Sequence, residues 1–203
     1  MKKWFIALFV VIIACLSVLF GLKYIKNRPV KVEDLKRLYP VTYSDVVFAN
    51  SEKYSLDPYM VFALIKAESA YKKDAKSSQS AMGLMQITPK TAHWIAEKMG
   101  MKDFSEDKLF EPTINIEMGC WYLQNLRQEF GKKDEIILAA YNAGRGNVSS
   151  WLQDGRYSDD GETLKDIPFS ETKEYVKKIK QYEEKYKELY KQEFETKEVD
   201  NTK

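Results

Sequence analysis

Between Asp57 and Tyr71 the chain reads DPYMVFALIKAESAY, and no other stretch limits the possible fold so tightly. Aspartate followed by proline predicts a helix start, with Asp57 as N-cap and Pro58 at the first helical position. Along that helix Val61, Leu64, Ile65 and Glu68 fall at i, i+3, i+4 and i+7 and therefore share one face. A carboxylate is thus set in the middle of an apolar stripe. Burying it in ionised form is costly unless it is paired, and loss of solvent should push its pKa up. A glutamate that stays protonated near neutral pH is what a general acid must be. Spacing alone leaves a second reading open, since a Glu paired with a neighbouring helix, or placed at a frayed helix end, has the same pattern.

Glu68-Ser69 is followed by Ser77, by Gly83-Leu84-Met85-Gln86 and by Ala140-Tyr141-Asn142-Ala143-Gly144. In order and in spacing this set resembles the catalytic domain of the soluble-type lytic transglycosylases, from about Val46 to about Tyr182. The resemblance implies an all-α, lysozyme-like helical globule related to goose-type lysozyme, acting on peptidoglycan glycan strands without a cofactor or metal. It also implies a chemistry run by one glutamate, here Glu68. That residue gives a proton to the glycosidic oxygen between N-acetylmuramic acid and N-acetylglucosamine. It then takes one from the muramyl 6-hydroxyl as that oxygen closes on C1, leaving a 1,6-anhydro ring, with the 2-acetamido group assisting.

Other positions carry over one at a time. Ser77 matches a serine that bonds the glycan near the acid, and Gln86 a cleft glutamine with Met85 packed beside it. Gly83 would allow a close backbone approach. Tyr141 matches a tyrosine whose hydroxyl points at the catalytic glutamate, although plain core packing would also explain it. Asn142 would order the adjoining turn. In Ile167-Pro168-Phe169-Ser170-Glu171-Thr172-Lys173-Glu174-Tyr175-Val176, similar to the family's closing motif, Glu171 would face the cleft and Tyr175 would line it. An acid in a first helical turn is also favoured by the helix dipole alone. One departure stands out: Tyr71 is followed by Lys72-Lys73, where the family often has asparagine-proline, so the conformation of that loop is open.

Glycosidases usually use two carboxyl groups, about 5–5.5 Å apart for retention or about 6.5–9.5 Å apart for inversion. Asp74 is the nearest acid downstream of Glu68, but it shares a polar loop with Lys72, Lys73 and Lys76 and reads as solvated surface. The alternatives are a hydrolytic goose-type muramidase with the same fold and glutamate, and a non-catalytic wall-binding module.

Met1-Lys2-Lys3 leads into Trp4–Leu22, a run without a charge that is long enough to cross a bilayer as a helix. Residues 1–22 are therefore expected to form a single-pass membrane anchor. Ile12-Ile13-Ala14-Cys15 resembles a lipoprotein processing box, but the apolar run continues well past Cys15. A basic linker over 23–40, a catalytic domain over 41–190 and a charged tail over 191–203, fraying beyond Tyr190, complete the expected organisation. Lys23, Lys26, Arg28 and Lys31 after the run outnumber Lys2 and Lys3 before it, so the flanking charges do not settle its orientation. The domain is placed outside the cell membrane because of the substrate that the resemblance implies.

Elsewhere the pattern is helical: Ser44-Asp45 opens one helix, and Thr88-Pro89 opens another that closes at Gly100. A third runs from Pro112 to Gly131, a fourth from Asp134 to Gly144, and a last one follows Ser170. Gly119, inside the third, costs about 1 kcal/mol relative to alanine, which suggests close approach of a neighbouring backbone. Trp151 is expected in a short turn of structure. Strand signals are nearly absent beyond a small hairpin in a loop. The formal charge is only +2, and no zinc spacing, phosphate-cradling loop or RNA-binding motif is present, which argues against nucleic acid as a partner. Cys120 and the single histidine, His93, would have to meet to make a nucleophilic pair; Cys120 reads instead as a small buried apolar residue.

Overall fold

Helix-starting residues meet helix-stopping ones along most of this chain, and the elements follow from them. The computed structural model describes Ser17 and residues 31–201, with side chains as far as residue 195. Apart from Ser17, the expected anchor over Trp4–Leu22, Cys15 included, lies outside the described residues, as do residues 23–30 of the expected linker. Among the described residues no helix is long and apolar enough to cross a membrane.

The helices are α1 (Val32–Leu38), α2 (Ser44–Lys53), α3 (Pro58–Ser69), α4 (Pro89–Met99), α5 (Pro112–Phe130), α6 (Asp134–Ala143), α7 (Arg145–Leu152) and α8 (Ser170–Asn201), with a 3₁₀ turn at Glu106–Phe110. The expected caps are in place. The Asp57 carboxylate accepts from the Tyr59 N–H at 2.8 Å, the Thr88 hydroxyl accepts from Thr91, and α4 stops at Gly100 with φ 70°. Among the described residues there is no strand. The small hairpin is reduced to isolated antiparallel bridges that Met82 makes with Lys76 and Ile87.

The fold is organised around α3, more deeply than one apolar stripe requires. Met60 to Ile65 are all fully buried, so this helix is covered on every side. Its cover is α2 and the length of α8, whose Tyr186, Tyr190 and Phe194 step along one face against Phe62 and Tyr59.

The helix expected after Ser170 continues past Tyr190 to Asn201, and Phe194, one turn beyond Tyr190, is buried between Phe48 and Tyr59. At the other end the compact unit starts at Tyr39, within the stretch expected to be linker. The Tyr190 hydroxyl donates to the Tyr39 carbonyl at 2.8 Å, and Tyr186 donates to the Pro40 carbonyl at 3.0 Å. By itself, α1 has no buried residue and forms part of a separate unit.

Trp151 sits in a full helix, α7, rather than a turn, and packs edge-on against Phe169 at 4.9 Å. Gly119 does make a close approach, but to a side chain rather than a backbone: a Cβ there would stand 2.3 Å from the Met85 sulfur. The thioether fills the space that the missing Cβ leaves.

Candidate active site

Glu68 lies in the last turn of α3, where the helix leaves the core. The chain turns away through two successive left-handed residues, Ala70 (φ 48°) and Tyr71 (φ 65°), which is costly for side chains of this kind. Tyr71 is held there by its hydroxyl, which donates to the Phe62 carbonyl at 3.2 Å and lies 2.9 Å from the Tyr186 hydroxyl. This fixes the loop that the departure at Lys72-Lys73 had left open.

The next loop is built on a residue that sequence reasoning missed. Asn115, fully buried in α5, accepts from the Met85 N–H at 2.8 Å and donates to the carbonyls of Leu109 (2.9 Å) and Met82 (3.1 Å). Gly83 is obligatory beside it, with φ 76° and a virtual Cβ 2.1 Å from the Leu109 oxygen. The available signal was a polar residue on the inner face of α5, since Asn115, Met118, Gly119 and Tyr122 follow at i, i+3, i+4 and i+7.

Two tyrosines close on Glu68, though not as the resemblance suggested. The Tyr141 hydroxyl donates to the Met85 carbonyl at 2.8 Å instead of to the carboxylate. Tyr175, on α8 and 107 residues away in sequence, donates to Glu68 Oε1 at 2.5 Å. Burial pushes the Glu68 carboxyl up to about 7, against the opposing pull of the Tyr175 hydrogen bond and the Lys178 charge; no other carboxylate among the described residues contributes to that shift. Burial also raises both phenols well above their usual range, so each remains a donor at neutral pH.

The remaining expected residues divide. Gln86, at φ 48°, spends its amide on the carbonyls of Gly83 and Ala75 (2.9 and 3.2 Å) and lines a cavity of about 210 Å³ with Tyr122, Tyr141 and Asn142. The Asn142 side chain accepts from buried Thr172 at 2.8 Å, fastening the end of α6 to the start of α8. Ser77 is exposed, and its hydroxyl accepts from the N–H groups of Gln79 and Ala81. Met85 reaches no solvent, so its side chain is core against Gly119 and cannot touch a ligand. Glu171 is exposed in the first turn of α8. Asp74 is exposed and paired with Lys73 at 2.9 Å. Cys120 is fully buried with its thiol pushed up, while His93 faces Glu106 at the surface, so they make no pair.

Among the described residues no group of His, Cys, Asp and Glu is arranged to hold a metal ion. A larger cavity, about 510 Å³, opens between the start of α6 and α8, but its lining mixes charged groups, the Lys180–Glu135 pair among them, with Ile136 and Leu164, and it contains none of the expected site residues.

Residues 45–163 match the transglycosylase SLT domain. The chain belongs to that family. It is 34% identical over 157 residues to a soluble lytic murein transglycosylase of Salmonella typhimurium, covering 76% of this chain and 24% of that one. A membrane-bound lytic murein transglycosylase C of Actinobacillus pleuropneumoniae is 29% identical over 167 residues, covering 71% of this chain and 45% of the relative. Among solved structures, an inactive Glu→Gln mutant of the lytic transglycosylase Slt from Pseudomonas aeruginosa superposes with a TM-score of 0.68 at 32% identity, over 77% of this chain and 26% of that one. This SLT-family chain therefore spans about a quarter of the soluble relative's length. Thr172, Tyr175 and Lys178 lie beyond the residues matched to the family, on the long helix that closes the site.

Proposed function

We propose that this SLT domain is a peptidoglycan lytic transglycosylase, in which Glu68 serves as both acid and base. The observation that carries this is a carboxyl held near neutrality by desolvation and gripped by one phenol, with no second carboxylate among the described residues acting on it. At about 7 its pKa lets the same group donate and accept a proton at little cost in either direction. In the first half, the Glu68 proton passes to the glycosidic oxygen as the C1–O bond of the muramyl residue breaks. In the second, the Glu68 carboxylate takes the 6-hydroxyl proton as O6 bonds to C1. Tyr175 donates to the carboxylate between the halves. The names of the relatives, and the inactivity of the Pseudomonas Glu→Gln mutant, support the same chemistry. Mass spectrometry of fragments from a peptidoglycan digest tests it: anhydro-ended glycans support it, and a digest that releases no glycan overturns it.

The free enzyme must start protonated, so kcat/KM should fall as pH rises through about 7. The Tyr175 hydrogen bond favours the ionised carboxylate, and its removal leaves desolvation less opposed. Tyr175→Phe should therefore move that limb to higher pH. A limb that stays put or moves down would remove Tyr175 from this role.

The uncharged run Trp4–Leu22 supports an integral anchor that keeps the catalytic domain extracytoplasmic. Membranes washed with carbonate should retain the full chain, and Cys15→Ala should not release it. Release by that one change would favour a lipid-anchored form.

A further inference from the structure

The first turn of α8 carries a buried hydroxyl. Thr172 is only 2% exposed, and its Oγ1 donates to Asn142 Oδ1 at 2.8 Å. A threonine in a helix can satisfy its hydroxyl on its own backbone, but this one reaches across to the end of α6. The two residues so joined are neighbours of the two phenols at the site. Asn142 directly follows Tyr141, and Tyr175 stands about one turn after Thr172. Other contacts at this end of α8 run elsewhere: Phe169 packs on Trp151 of α7, and Lys173 pairs with Asp166 in the preceding loop.

Among the described residues the hydrogen bond to Glu68 comes from Tyr175, at 2.5 Å. A displacement of about 1 Å would carry that contact to the edge of hydrogen-bond range. Further along, α8 is held by buried Val176, Ile179 and Tyr186. Tyr175 lies close to its start, however, and helices loosen from their ends. A polar tie in the first turn, made to the element that carries the other phenol, keeps that end in register.

We propose that Thr172 is a positioning residue: its hydrogen bond to Asn142 fixes the start of α8 on α6 and so keeps the Tyr175 hydroxyl on the Glu68 carboxyl. The proposal rests on the transglycosylase reading for its bearing on catalysis, and adds what holds the phenol that favours the carboxylate between the two proton transfers. The groups acting on Glu68 are Tyr175 and Lys178 from α8 and, among the described residues, the Tyr141 phenol from α6. The Tyr175 bond favours the ionised form, so loosening it should make the Glu68 carboxyl titrate at higher pH.

The test uses the full chain in detergent micelles, with glutamate labelled at the carboxyl carbon and followed by NMR against pH. The Glu68 resonance is the one that Glu68→Gln removes, and its titration needs no substrate. Loss of a hydrogen bond to an ionised group predicts a rise of about one pH unit for Tyr175→Phe, and about half of that for Thr172→Val. Thr172→Ser keeps the hydroxyl and should titrate as the wild type does. In the Tyr175→Phe background Thr172→Val should add nothing, because both changes act on one bond. Asn142 is exposed, so Asn142→Ala breaks the tie from the solvent side and should give the same rise even where Thr172→Val does not fold. The high-pH limb of kcat/KM on glycan strands should move in step. The role of Thr172 is overturned by no rise in Thr172→Val or Asn142→Ala, by a rise that Thr172→Ser shares, or by an equal rise in the Tyr175→Phe background; the transglycosylase reading then stands. Expected titrations in a chain that releases no glycan would support the positioning and overturn that reading instead. A Glu68 titration unmoved by Tyr175→Phe would overturn the positioning, since there would be no bond for Thr172 to hold.

Discussion

Glu68→Gln should leave a folded protein with its lytic activity reduced by at least about 10²–10⁴-fold, the usual worth of one general acid–base group, because here one residue serves two transfers. The amide keeps the shape and still accepts from Tyr175, so the loss would be one of chemistry. It should also gain stability, and the sign follows from the pKa. The Glu68 carboxyl titrates at about 7 in the fold, against an ordinary value of 4.5. Between those values the folded chain holds a proton that the unfolded chain has lost, so stability falls as pH rises through that window and levels off above about 7. Glutamine has no such dependence. At about 1.4 kcal/mol per pKa unit, the span bounds the variant's advantage above pH 7 at about 3 kcal/mol, less what partial exposure of Glu68 removes. Urea unfolding at pH 4 and pH 8 measures it: the two proteins should unfold together at the lower pH and separate at the higher. A variant that is less stable at pH 8 would show Glu68 to be a structural partner, and a folded variant with near wild-type lysis would end the mechanism.

What the sequence revealed of this site, and what it hid, divides by the range of the interactions involved. Helix starts at Asp57 and Thr88 and the stop at Gly100 are local events, set by a few adjacent groups, and they stand where the pattern puts them. The apolar setting of Glu68 was also legible, because neighbours three and four residues away report one face of a helix. The partner of that carboxylate was not. A period names the face but not what covers it, and Tyr175 and Tyr141 are equally good phenols by composition. Their exchange of roles depends on where the Met85 carbonyl comes to rest, which is decided by Asn115 thirty residues further on. Met85 was misassigned for a related reason: next to a cleft residue along the chain, it points the opposite way, into the gap over Gly119. The extra turns of α8 could have been read, since Tyr186, Tyr190 and Phe194 keep one spacing; the surrounding charges obscured it.

Products of digestion should be anhydro-ended almost throughout. Once the glycosidic bond has broken, C1 of the muramyl residue can be captured by water or by its own 6-hydroxyl. Capture by water needs a base held on the far side of the ring, which inverting and retaining glycosidases provide with a second carboxyl group. Among the described residues no carboxylate acts on Glu68, Asp74 is turned to solvent on Lys73, and Glu171 is an exposed first-turn acid on another helix. The 6-hydroxyl needs no such recruitment. It is part of the same sugar, and well-oriented intramolecular groups react as though present at about 10⁵–10⁸ M, far above bulk water. Its proton has an acceptor ready, because Glu68 has just become a carboxylate and Tyr175 holds that form in place. Fragments should therefore be lighter by one water than reducing-end products and resistant to borohydride. Glu171→Gln should leave that product ratio unchanged, since no water has to be activated. Digests dominated by borohydride-reducible ends would make this chain a muramidase, and a shift in the ratio on changing Glu171 would identify it as the missing base.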